Sequence, residues 1–140
     1  MKKIEKFILV LCCFFFFMNT TMGQDISDFK WKNRVLMLVS DDVDNEILNT
    51  QLEILNKSAE AFKERDLILF IITPKNSFTS NKTSVNLKGI APYQKNNFEG
   101  AILLGKDGGV KLKEPFTVSS KTILNLIDSM PMRRGEMKSQ

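Results

Sequence analysis

Two unbroken apolar runs, Val35-Leu36-Met37-Leu38-Val39 and Leu67-Ile68-Leu69-Phe70-Ile71-Ile72, constrain this chain more than any other feature. Each has the length of a strand and lacks the in/out alternation of a half-exposed one, so each reads as a central strand covered on both faces. Between them Leu48, Leu52, Leu55, Ala59 and Phe62 recur at spacings of four and three, with Ile47, Ile54 and Ala61 widening the stripe. That period predicts one helix over residues 45–64 with an apolar side for the sheet. Strand, helix and strand of this size make a βαβ unit.

A third buried strand is expected at Ala101-Ile102-Leu103-Leu104. Lys106-Asp107-Gly108-Gly109 tolerates positive φ and predicts a tight turn. Beyond it Val110 and Leu112 alternate with Lys111 and Lys113, the pattern of an exposed edge strand. Ser119 is a good N-cap for a second helix carrying Ile123, Leu124, Leu126, Ile127 and Met130 on one face, which Pro131 should stop. Residues 73–97 are rich in Lys, Asn, Ser and Thr, with scattered Phe78, Val85, Leu87 and Ile90; they read as a long surface connection with one short helical turn. Trp31, two residues from Phe29, is expected to pack over the sheet edge. The sum is an α/β, thioredoxin-like arrangement: a four-stranded mixed sheet ordered second, first, third, fourth, with helices on both faces.

The amino terminus is of another kind. Lys2, Lys3 and Lys6 precede an apolar run from Phe7 to Met18, followed by small and polar residues up to Gly23, the order of a secretory signal peptide. Its 12 apolar residues fall short of the roughly 20 needed to span a bilayer. Thr21 and Gly23 place cleavage after Gly23, giving a signal peptide at 1–23 and a single domain at 24–140. The remaining 117 residues carry 17 basic and 15 acidic side chains and no membrane span. That near-neutral balance gives no electrostatic footprint for nucleic acid. The expected location is the periplasm or the exterior, and the expected partner an envelope or extracellular protein. Cys12 and Cys13, the only cysteines, leave with the signal, and the chain has no histidine. Thiolate chemistry and zinc-type side-chain ligation are then both closed to residues 24–140.

In thioredoxin-like folds the reactive thiols follow the first strand. Here that window reads Ser40-Asp41-Asp42-Val43-Asp44-Asn45-Glu46, and the pair would fall near Val43 and Glu46. No proline stands directly before the third strand, which Phe98-Glu99-Gly100 leads into; Pro92 is several residues too early. Asp41, Asp42, Asp44 and Glu46 admit two readings. They are oxygen ligands suited to Ca²⁺ or Mg²⁺, which would make the chain a cation-dependent enzyme or a metal-binding protein. Alternatively they cap the first helix, with Asp44 as the cap. The glycine and distal glutamate of an EF-hand loop are missing, which favours capping. Gly108-Gly109 joins two strands, the context of a hairpin and not of a phosphate cradle. Arg133 and Arg134, past the last helix, either bond its terminal carbonyls or contact an anion or partner. No cofactor is expected.

Four segments, Trp31-Lys32-Asn33-Arg34-Val35-Leu36, Glu64-Arg65-Asp66-Leu67, Gly105-Lys106-Asp107-Gly108-Gly109-Val110-Lys111 and Met130-Pro131-Met132-Arg133-Arg134, together resemble the bacterial family labelled domain of unknown function 4174. The resemblance covers residues 28–137. It implies a thioredoxin-like fold, export, and kinship with domains of secreted vertebrate matrix proteins that carry sushi repeats. It implies no particular activity.

Overall fold

The computed structural model describes residues 23–94 and 97–140, so the proposed signal segment, apart from Gly23, lies outside the described residues. The two apolar runs form β2 (Arg34–Val39) and β3 (Leu67–Ile72), which pair in parallel with Arg34 opposite Leu67. The third run forms β7 (Gly100–Leu104), antiparallel to β2 with Val35 opposite Leu104. β8 (Val110–Pro115) returns from it as the edge strand. Gly108 turns this hairpin at φ +80°, which glycine adopts without strain. At Gly100 a Cβ would collide with the Glu114 carbonyl on β8, so the entry to β7 has room only for glycine.

The inner order β3-β2-β7-β8 is the expected one, but the sheet has six strands and not four. Two more extend it beyond β3, β4 (Ser77–Thr79) and β5 (Ser84–Val85), giving β5-β4-β3-β2-β7-β8. Both come from the segment expected to be irregular. A separate two-stranded parallel sheet joins β1 (Gln24–Asp25) to β6 (Leu87–Lys88).

The helices also depart from expectation. α1 (Glu46–Asn56) and α2 (Ala59–Glu64) replace the single helix over 45–64. Asn56-Lys57-Ser58 is a polar, weakly helical stretch, and there the Ser58 N–H bonds to the Leu55 carbonyl at 2.9 Å, so the chain leaves the α path. α3 (Ser120–Ser129) starts as expected, with Ser119 Oγ accepting from the Thr122 N–H. Pro131 ends it but also opens α4 (Pro131–Lys138), because the missing N–H of proline is no loss at a first helical position.

Period-two alternation divides the apolar residues of the sheet between two cores. On one face Leu36, Leu38, Ile71, Ala101 and Leu103 meet Leu48, Leu52 and Leu55 of α1, Phe62 of α2, and Ile123 and Ile127 of α3. Gln51 of α1 is fully buried there, its amide bonding both the N–H (2.6 Å) and the carbonyl (2.8 Å) of Val118. On the other face Val35, Met37, Val39, Phe70, Ile72, Ile102 and Leu104 are covered by Phe29, Leu87 and Ile90, with Phe29 and Phe70 rings 5.5 Å apart. No α-helix contributes to that cluster; two short 3-10 helices, Ile26–Phe29 and Ala91–Tyr93, supply Ile26, Phe29 and Tyr93 to it, the second being the short helical turn expected within residues 73–97. The scattered Val85, Leu87 and Ile90 of the polar connection are its sheet-facing side. Trp31 lies at φ +67° and is 65% exposed, not packed over an edge. Among the described residues no helix is long and apolar enough to cross a membrane.

Candidate functional site

β2 and β3 run side by side and end together, which places Ser40-Asp41 beside Thr73-Pro74. In open α/β sheets the crevice outside the carboxyl ends of parallel strands is the usual place for a ligand. Adjoining cavities open here. One of about 270 Å³ is walled by Val39, Ser40, Asp41, Gln94, Phe98 and Glu99. Another, of about 310 Å³, lies between Asp41-Asp42-Val43 and Lys75-Asn76 and shares Thr73 and Pro74 with it.

The acidic window at this corner is folded onto itself. Ser40 is buried, its N–H bonded to the Ile72 carbonyl (2.9 Å) and its hydroxyl to the Asp42 carbonyl (3.1 Å). Asp41 Oδ1 accepts from Asn45 Nδ2 (2.9 Å), and this bond, more than any other contact, holds the Asp41 carboxyl below its usual value. The Asp41 N–H donates to Glu99 Oε1 (3.0 Å), and Asp42 Oδ1 accepts from the Asp44 N–H (2.9 Å). Asp44 is not the helix cap. Asn45 is: its Oδ1 accepts from the N–H groups of Ile47 (2.9 Å) and Leu48 (3.1 Å). Asp44 instead reaches Lys82 at 3.4 Å, and Glu46 is exposed in the first turn of α1. Among the described residues no three His, Cys, Asp or Glu side chains converge as a metal site would need. Val43, at the place of a thiol, packs against the core.

At the opposite end of the sheet the structure gathers charge that sequence reading left dispersed. Arg34 opens β2 and is 1% exposed; its guanidinium donates to the Arg65 carbonyl (2.9 Å) and to both carboxylate oxygens of Glu136 (3.3 Å each). Glu136 also receives Lys106 at 2.7 Å, and Lys106 reaches Asp66 at 2.8 Å. Arg65 holds Asp128 through two bonds of 2.8 Å. Arg133, one of the two partner-contact candidates, is turned inward at 2% exposure and bonds Glu64 (3.0 Å) and Asp128 (3.3 Å). It therefore ties α2 to α3 and α4 and does not cap the end of α3, while Arg134 is exposed. Burial alone would raise Glu136; hydrogen bonds from Lys106 and Arg34 outweigh it and hold the carboxyl low. The Asp128 carboxyl is held low first by Arg65.

Arg34, Lys106 and Lys111 also wall a cavity of about 370 Å³ together with Met130, Pro131 and Met132. Three of the four segments that carry the family resemblance line it, through Arg34, the Gly105–Lys111 turn and the start of α4, and the fourth, Glu64-Arg65-Asp66, bonds to two of its wall residues, Arg34 and Lys106. No short motif marks Asp128 and Glu136, which complete the network. The signal within reach of sequence was the set of four segments taken together.

The architecture is that of a thioredoxin-like α/β domain. Thioredoxin peroxidase I of Plasmodium yoelii superposes with a TM-score of 0.55 at 22% identity, over 82% of this chain and 81% of that one. The reduced 2-Cys peroxiredoxin of Plasmodium vivax gives 0.55 at 16% identity, over 80% and 72%. At such identities the likeness is of fold. The chain itself belongs to the family described as Domain of unknown function (DUF4174), which matches residues 25–136. No curated protein matches it.

Proposed function

We propose that this protein is an exported thioredoxin-like module that works by binding and not by thiol chemistry. The observation that carries this reading is the corner after β2, where Val43 and Glu46 stand in place of thiols. The names of the two Plasmodium proteins point to peroxide and thiol chemistry, but no cysteine follows residue 13 of this chain. A thiolate is the attacking species in such reactions, and no other side chain here replaces it. Export rests on the basic, then apolar, then small-residue order of residues 1–23.

The exported protein should begin at Gln24, cyclised to pyroglutamate. It should neither reduce insulin disulfides nor consume peroxide, and thiol alkylation should leave its mass unchanged. Intact mass and the two turnover assays check this. Reproducible turnover, or a product that keeps residues 1–23, would overturn the reading. A pull-down from the native envelope and extracellular fractions should retain a partner; retention no better than a control resin would remove the binding half of it.

A further inference from the structure

We propose that the depression at the carboxyl ends of β2 and β3 is a binding site for a neutral oligosaccharide. The first support is its continuity. The cavities of about 270 and 310 Å³ at this corner adjoin a third of about 900 Å³, and Pro74 lines all three. The third takes in Gln24 of β1, Ser84 and Val85 of β5, and Asn86, Leu87 and Ile90 beyond them. One depression therefore runs from Glu99 over the Thr73–Asn76 turn to β1 and β5. Its largest part alone stands near the top of the roughly 300–1,000 Å³ range of small-ligand sites, so the whole suits a chain of several rings.

The second support is that this surface is fixed beforehand. At the turn the Thr73 N–H and hydroxyl donate to the Asn76 carbonyl (2.9 and 3.1 Å), and the same hydroxyl accepts from the Asn76 N–H (3.1 Å). Gln94 Nε2 donates to the Thr73 carbonyl (2.7 Å). On the far wall the Ser77 hydroxyl donates to the Val85 carbonyl (2.7 Å) and accepts from the Leu87 N–H (3.2 Å). A wall held in this way has little freedom left to lose when a ligand settles on it, which is what preorganisation contributes to affinity.

The third support is the chemistry of the lining, which selects the class of ligand. Asn76 and Asn86 are exposed amides that both donate and accept, Lys75 donates, and Asp41, Asp42 and Glu99 accept. A carboxylate accepts through two oxygens, so the bonds from Asn45 to Asp41 Oδ1 and from the Asp41 N–H to Glu99 Oε1 leave acceptor capacity in both. Pro74, Val85, Ile90 and Phe98 add apolar surface. A cation would leave the amide and lysine donors without partners, and an anion would face three carboxylates. An apolar guest would take water from all of these groups and return no hydrogen bond. Peptides are held along a strand edge or in an apolar groove, and β5, the edge that lines this depression, is two residues long. A sugar ring carries hydroxyls that donate and accept, C–H faces that suit the apolar patches, and no charge.

This proposal rests on the reading of the chain as a binding module, which the thiol assays and intact mass test separately. The experiment is a ¹⁵N NMR titration of the exported protein with the neutral hexaoses of cellulose, amylose, laminarin, mannan and chitin. Glucose, the deacetylated chitin hexamer with its ammonium groups, and hexagalacturonate with its carboxylates are the comparisons. At least one neutral hexaose should bind saturably and move the side-chain amide signals of Asn76, Asn86 and Gln94. Glucose and both charged hexamers should bind at least tenfold more weakly. Asn76→Ala with Asn86→Ala, both at exposed positions, should weaken binding at least tenfold with an unchanged melting temperature. Undiminished binding by that variant, equal or tighter binding by glucose or a charged hexamer, or shifts confined to residues 105–111 and 130–132 would each overturn the proposal. So would the lack of a saturable shift from any neutral hexaose at millimolar concentration; a protein retained in the pull-down would then leave the binding reading standing without this site.

Discussion

At the start of α1 the Asn45 side chain satisfies two of the amide groups that a helix terminus leaves open, while its neighbour Asp44 points a carboxylate at Lys82 in solvent. Asn45→Ala should therefore cost about 0.5–2 kcal/mol in a denaturation titration. Asp44→Ala should stay within about 0.5 kcal/mol. The same hydrogen bonds speak against a cation at Asp41, Asp42 and Asp44, since binding one would pull oxygens out of the turn. A ligand at a hundred times its dissociation constant adds about 2.7 kcal/mol. Millimolar Ca²⁺ or Mg²⁺ should leave the melting temperature where it was; a rise of several degrees, lost in Asp41→Asn with Asp42→Asn, would restore the cation reading.

α4 is short, yet it carries Arg133 and Glu136 into the ionic network that joins it to α2, α3 and the first residue of β2. Deleting one partner of a buried pair leaves the other charge uncompensated. Glu136→Ala removes the one carboxylate paired with Arg34 among the described residues, so it should destabilise by about 3–5 kcal/mol, whereas Arg134→Ala should be near neutral. The pH dependence follows from the same contacts. Asp128 and Glu136 are held below their ordinary values of 3.8 and 4.5, so the unfolded chain binds protons there before the native one does. Their contribution is complete above those values and is lost as the pH falls through the lower native ones. A melt followed from neutral to acid should be flat down to about pH 5 and then fall, and less steeply in Glu136→Ala.

For the molecule as a whole, the unexpected layer is the one to which no α-helix contributes. Phe29, Leu87 and Ile90 close the second face of the sheet, and the β1–β6 pair fastens the start of the domain to that cover. If the segment were only a solvated connection, Leu87→Ala would be silent. As a core residue at 6% exposure it should cost about 2–5 kcal/mol, in the range expected for Leu103→Ala on the helical face. Equilibrium unfolding of the two variants side by side decides this.

The sequence by itself determined the three buried strands, the hairpin at Gly108, the helix capped by Ser119 and the absence of a thiol after residue 13. Each of these rests on local period, turn chemistry or residue type, which need no partner to be read. Tertiary structure alone decided the rest. Leu87 and Ile90 show as core only once a sheet lies beneath them, and β4 and β5 exist only because β3 offers a paired edge. Asn45 displaced Asp44 as the cap because the turn before α1 is set by contacts from Ser40 to Ile72 and from Asp41 to Glu99. The network and cavity around Arg34 draw on residues as far apart as Arg34 and Glu136, 102 positions in the chain. No local pattern encodes such a meeting, because charge pairing depends on distance in space, which the topology of the sheet sets.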